Sequence, residues 1–306
     1  MQTALQPISV QPKRLTLWMA LISVYILWGS TYLFIHFMTE QMPPLYMSSI
    51  RFLVAGTLLY SYAHLTGTSR PTWPQVRSAG IIGLLLLTIA NGCLTVALQH
   101  ISTSIAALLA ATMPVFLLSL NWIWFAKTRP SNLALSGLLL GFAGICFLIK
   151  PGAMQGTGTT DDNLIGAGLV MIANVAWALG TLFSSRLALP AQIISSGLQM
   201  LTGGAILLIF SLLVEPVTPM SILDAPAKAI GSLGYLIIFG SIIGFSSYAW
   251  LARNAPPTLV STYAYVNPVV AMILGTLFAG EILTAQSLIG AAIVVAGVVL
   301  VTLGRK

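Results

Sequence analysis

Long uninterrupted apolar runs, broken at intervals by charged residues or by Pro and Gly, dominate the chain. A helix needs about 20 mostly apolar residues to cross about 30 Å of hydrocarbon. Ten runs of roughly that length occur, at 16–37, 45–63, 77–98, 103–125, 132–149, 164–184, 192–214, 229–252, 258–280 and 286–303. The third and fourth nearly fuse around 99–102, and the ninth and tenth meet at Glu281. Strands of a membrane barrel alternate polar and apolar residues over about ten positions, whereas these runs are continuous. The pattern therefore predicts an all-α membrane protein with ten transmembrane helices.

Composition agrees. Only 6% of the 306 residues are charged and 57% are hydrophobic, whereas a soluble domain carries about 25% charge to face water. The first run follows Lys13 and Arg14, as in a signal peptide. It is longer than an h-region of about 7–15 residues and has no small-residue cleavage site at 35–38, so it reads as a first span. Cys93 and Cys146 lie in apolar runs, where reduced packing residues are expected. They offer neither a disulfide framework nor a Cys/His metal site, and no cofactor is called for.

Charge gives direction. With the N-terminus inside, Lys13, Arg14, Arg70, Arg77, Lys127, Arg129, Arg186, Arg253, Arg305 and Lys306 fall on the cytoplasmic side, against Lys150 and Lys228 outside. All six acids fall outside. Cytoplasmic loops are Lys/Arg-rich, so the net charge of +7 reads as an insertion signal and not as a nucleic-acid footprint. Both termini are expected in the cytoplasm, with the 150–163 linker periplasmic, in a bacterial inner membrane.

The two halves resemble each other. Residues 28–34 (WGSTYLF) align with 177–183 (WALGTLF), 51–56 with 199–204, and Met113-Pro114-Val115 with Asn267-Pro268-Val269. Gly137 and Gly144 align with Gly290 and Gly297. A five-helix repeat starts its second copy on the opposite face, so the halves, 16–149 and 164–304, are expected to be inverted. Such repeats recur in secondary transporters, with sites near the midplane between them.

The motifs themselves are familiar. Trp28-Gly29-Ser30-Thr31, Pro43-Pro44 and Arg51-Phe52-Leu53-Val54-Ala55-Gly56 resemble the first repeat of the EamA family, in the drug/metabolite transporter superfamily. The segment 261–269 (STYAYVNPV) and Gly280-Glu281 resemble the second. The resemblance covers about 16–304 and implies a ten-helix carrier of amino acids or related metabolites, commonly an exporter. Where the first repeat often has Gly-Glu after its fourth helix, this chain has Ala126-Lys127, which points to an electrostatic or structural role for Glu281. The first span also lacks the glutamate of the small multidrug members, so their proton-coupled antiport does not carry over.

Candidate site residues follow from polarity at depth. Pro114 and Pro268 each remove a backbone donor and free a carbonyl inside a span, as kinks and hinges or as simply packed prolines. Asn91, Asn174, Gln199 and Asn267 must face inward, toward a cavity or as interhelical glue. Repeat-related Trp28 and Trp177 lie away from the interfacial belts, and with Tyr248, Tyr263 and Tyr265 they form either an aromatic pocket or core. Trp122 and Trp124 read as interfacial anchors. Trp28, Asn91, Trp177, Tyr263 and Asn267 make the expected substrate site.

Arg51 could hold a substrate carboxylate or snorkel outward to cap free carbonyls. The neutral counterpart Gln199 and the nearby outer interface favour the second. Gly137 and Gly141 read as close helix packing, with a weak signal for dimerisation, so a monomer or homodimer is expected.

A small-molecule carrier of neutral or zwitterionic metabolites is the expected function. The alternative is a channel-like pore, although no selectivity ring is visible. An intramembrane enzyme ranks last, because no Ser–His spacing and no second acidic cluster accompanies Asp161-Asp162.

Overall fold

The computed structural model describes residues 14–126, 129–148, 160–217, 225–255 and 262–304. The apolar runs become helical runs: α1 (Arg14–Thr39), α2 (Pro44–Leu65), α3 (Trp73–Ala97), α4 (103–126), α5 (Asn132–Leu148), α6 (Thr160–Ser184), α7 (Gln192–Val214), α8 (227–254), α9 (Tyr263–Phe278) and α10 (Ala285–Leu303). No strand occurs among the described residues.

Local signals set the ends. Pro44 opens α2, where a missing N–H costs nothing. Thr72 and Gln75 form a capping box at α3, and the Ser102 and Thr284 hydroxyls accept N–H groups at the starts of α4 and α10. Asp161 and Asp162 lie in the first turn of α6, where acids meet the positive end of the helix dipole.

Among the described residues, α1, α3, α4, α6, α7, α8 and α10 are long and apolar enough to cross a membrane. The apolar helices at 132–147 and 266–278 are shorter. α2 has the length, but Arg51, His64 and its tyrosines dilute its hydropathy.

The interior sets polar side chains among its apolar ones, and the exterior is greasy. Ser48, Thr95, Thr112, Ser195, Ser211 and Thr302 are buried, while Leu213 is 78% and Leu277 68% exposed. So many large exposed apolar side chains would be unfavourable in water, and lipid permits them.

Exchanging the halves preserves the packing. The tightest pairings join α2 to α7 and α5 to α10, the matching helices of each half. α1 packs on α8 and α9, while α6 packs on α3 and α4. A Cβ on Gly297 would lie 2.6 Å from the Gly141 backbone nitrogen, and one on Gly137 2.5 Å from that of Val301. Gly137 and Gly141 therefore serve contact within this chain.

Several expectations change. α4 is interrupted at Ala111 and Thr112, just ahead of Pro114, whereas α9 runs unbroken through Pro268. The two prolines are thus not equivalent kinks: Pro114 sits in the first turn of a restarted helix, and Pro268 is absorbed in the interior of one. The linker ends sooner than 163, because the acids at its end already belong to α6. Its residues 150–159 lie outside the described ones. α9 starts at Tyr263 and not 258, with 256–261 outside the described residues. Continuous helical hydrogen bonding also gives way to wider π turns at Leu84–Ala90, Asn121–Ala126 and Leu236–Phe245.

Candidate functional site: a polar cavity between the halves

Trp28, Asn91, Trp177, Tyr263 and Asn267 all line one cavity of about 120 Å³, together with Arg51. α1, α2, α3 and α4 contribute from the first half, and α6, α7, α8 and α9 from the second. Trp28 lies 14 residues from the start of α1 and 11 from its end, so it is near mid-helix at about 1.5 Å per residue. Neither Pro114 nor Pro268 lines the cavity. Pro114 acts nearby: it has no N–H for the carbonyl of Ala110, a lining residue.

One wall is aromatic. Trp28 packs edge-on against Trp177, with centroids 5.8 Å apart, and against Tyr263 at 5.5 Å. Tyr248 lies 4.8 Å from Trp28 and 5.7 Å from Tyr263. All but the tilted Trp28–Tyr248 pair are edge-on, and these separations are favourable for ring pairs. The Trp28 indole N–H donates to the Gly240 carbonyl at 3.3 Å. Indoles at repeat-related positions thus meet across the interface.

The amides divide by role. In the orientation that satisfies it, the Asn267 side-chain nitrogen donates to the Tyr25 and Tyr263 carbonyls at 3.2 and 3.3 Å. It therefore ties α9 to α1 while bordering the cavity. Asn174 donates to the Leu109 carbonyl at 2.9 Å and to Thr112 Oγ1 at 3.1 Å, supporting the interruption in α4. Gln199 donates to Ser195 within α7. Asn91 differs, because its buried Oδ1 has no hydrogen-bond partner.

Arg51 does not snorkel. It is 4% exposed and turns inward, its Nε donating to Ser241 Oγ at 2.8 Å, while Nη1 has no partner. Among the described residues the third buried side-chain polar atom without a partner is Trp177 Nε1, which approaches the Tyr248 hydroxyl without forming a hydrogen bond of ordinary geometry. Buried polar groups are ordinarily paired. All three residues with these exceptions line this cavity.

The π turns are the part that sequence reasoning missed. Those in α3 and α8 occupy corresponding helices of the halves, and Leu87, Ala90, Gly240, Ser241 and Phe245 from them line the cavity. Such turns re-aim side chains and are frequent at functional sites. The apolar runs LLLLTIA and LIIFGSIIGF carry no visible signal for them.

A second, larger groove of about 1030 Å³ is lined by Ile89, Cys93 and Val96 of α3 and by Ile206 and Phe210 of α7. Its lining is mostly apolar. Ligand sites combine apolar walls with a few convergent polar groups, which favours the cavity between the halves.

Apolar helices arranged in two exchangeable halves around a polar, aromatic cavity describe a multi-pass membrane transporter. The profile of the EamA-like transporter family matches residues 15–150 and again 164–303, and the chain belongs to that family. Relatives span nearly the whole chain. The inner membrane transporter YedA of Escherichia coli, described as uncharacterized, is 40% identical over 95% of this chain and 92% of its own. A WAT1-related chloroplastic protein of Arabidopsis thaliana is 29% identical over 93% of this chain and 69% of its own. The uncharacterized transporter YvbV of Bacillus subtilis is 26% identical over 92% and 90%. A solved crystal structure with 19% identity shares the fold, with a TM-score of 0.67 over 96% of this chain and 99% of that one.

Proposed function

We propose that this protein is a secondary transporter working by alternating access, an exporter of small neutral or zwitterionic metabolites such as amino acids across a bacterial inner membrane. Ten spanning helices in two inverted repeats, 16–149 and 164–304, form the carrier, with the shorter α5 and α9 and the more polar α2 completing the spans. The termini lie in the cytoplasm.

The observation that carries this reading is the convergence of repeat-related residues from both halves on one cavity, where buried donors and an acceptor lack partners. Rocking the halves about that cavity would expose it alternately to each side, as inverted repeats do elsewhere. Trp28, Trp177 and Tyr263 supply aromatic faces, and Asn91 and Asn267 supply amides. Among the described residues no second cation joins Arg51 in the lining, whereas a multiply charged phosphate ester calls for a cluster.

Counterflow in liposomes tests the proposal. Vesicles preloaded with unlabelled substrate should transiently accumulate external labelled substrate, with saturable kinetics. Flux that neither saturates nor shows counterflow would make the protein a pore.

A further inference from the structure

From the cavity's unpaired groups we infer that the ligand carries a carboxylate, held by Arg51, beside a hydrogen-bond donor that meets Asn91. This rests on the transporter reading above; it keeps zwitterionic amino-carboxylates as substrates and extends the class to small hydroxy-carboxylate anions.

The argument starts from a buried charge. A guanidinium stays protonated in proteins, and withdrawing an unpaired charge from water is costly. Buried charges are therefore paired, yet Arg51 has no carboxylate partner among the described residues. The ion pairs there involve His36, His100 and Lys228 with Glu40 and Asp162. The remaining described acids, Asp161, Glu215 and Glu281, do not line the cavity. The neutral Ser241 hydroxyl uses only Nε.

A packing role does not require this charge. The corresponding position in the second half holds Gln199, a neutral amide satisfied by Ser195 on its own helix. Both residues sit in the tightly packed α2–α7 pair. The guanidinium is the feature in which the first half departs from the second, and it borders the cavity.

The neighbouring groups refine the ligand. Asn91 Oδ1 can only accept, so it calls for an ammonium or hydroxyl on the ligand. A space of about 120 Å³ limits what is enclosed to something compact, since an apolar cavity of about 150 Å³ takes up one benzene. The aromatic wall of Trp28 and Trp177 suits an apolar remainder.

The test uses the full chain in detergent and a panel of small amino- and hydroxy-carboxylates, each paired with its amide: lactate with lactamide, alanine with alaninamide. Tryptophan fluorescence and melting temperature report binding, because Trp28 and Trp177 line the cavity. At least one carboxylate should bind about ten- to a hundredfold more tightly than its amide, the range for a hydrogen bond to a charged group. Arg51→Met should abolish that preference in protein that still melts cooperatively. If Arg51→Met does not fold, the matched pairs on wild-type protein decide alone. Equal binding of every pair, or no response to any carboxylate at tens of millimolar, overturns the inference. Saturable counterflow of the amides but not the carboxylates would keep the transporter and remove the anion site. Arg51-dependent carboxylate binding without flux would do the reverse.

Discussion

The Glu281 carboxylate accepts the Thr103 backbone N–H at 2.6 Å and its hydroxyl at 2.5 Å, joining the end of α9 to the start of α4. Ser104 donates to it through both its N–H and its hydroxyl. Gly280 makes this reach possible, since its φ of 67° ends α9 in a left-handed turn that an L side chain would strain. Glu215 does the same at the end of α7, accepting the Leu45 and Tyr46 N–H groups at 2.8 and 2.9 Å at the start of α2. Acids of the second half thus cap two helices of the first. Glu281→Ala or Glu215→Ala should each lower stability by about 1–2 kcal/mol, the range for lost caps and charged hydrogen bonds. Thermal melts in detergent check this, and an unchanged midpoint would contradict it.

Close helix packing gives a paired test. Gly297→Ala places a methyl 2.6 Å from the backbone of Gly141, an atom that cannot rotate away, and overpacking of this kind costs about 1–3 kcal/mol. Gly168→Ala, in α6 with nothing within 4 Å of the added methyl, should be neutral or stabilising by about 0.5–1 kcal/mol. A melt in which both variants match wild type would argue against the α5–α10 contact.

Much of this was legible in the sequence. The uninterrupted apolar runs are helices, and the repeat alignment pairs Trp28 with Trp177, which meet in the cavity. What escaped depends on tertiary partners. Glu281 reads as an electrostatic or structural charge at a joint, but its partners are not legible, because the N–H groups it caps lie 178 and 177 residues away in sequence. Asn267 reads as cavity-lining or as interhelical glue, and only the structure names the two carbonyls, on different helices, that engage it. Pro268 reads as the twin of Pro114, yet α9 runs through it while α4 breaks at Ala111 and Thr112 and restarts at Met113. Arg51 looked near enough to the outer interface to snorkel, but the Ser241 hydroxyl on a π turn draws it inward.

Coupling is the next expectation. No Asp or Glu lines the cavity among the described residues, so transport should not depend on a membrane-embedded carboxylate. With the substrate gradient fixed, flux should respond little to an imposed pH gradient. Strong proton-driven accumulation, abolished by one Asp or Glu substitution, would contradict this.

Orientation is checked by labelling. In a background lacking Cys93 and Cys146, a cysteine at Asp161 should react with an impermeant maleimide from the periplasm, and one at Arg70 should not. Asp161 is exposed in the first turn of α6, and Arg70 is exposed in the loop between α2 and α3. The reverse pattern would invert the topology.

The central claim is that substrate occupies the cavity between the halves, and half-saturation in counterflow measures it most directly. Asn91→Ala removes an acceptor without a partner inside the protein. In folded, reconstituted protein it should raise the half-saturating concentration of an identified substrate by about three- to tenfold, the worth of one neutral hydrogen bond. Trp177→Ala, which removes an indole face from the wall, should raise it further. Wild-type half-saturation in both variants would place the substrate elsewhere and leave these residues as packing.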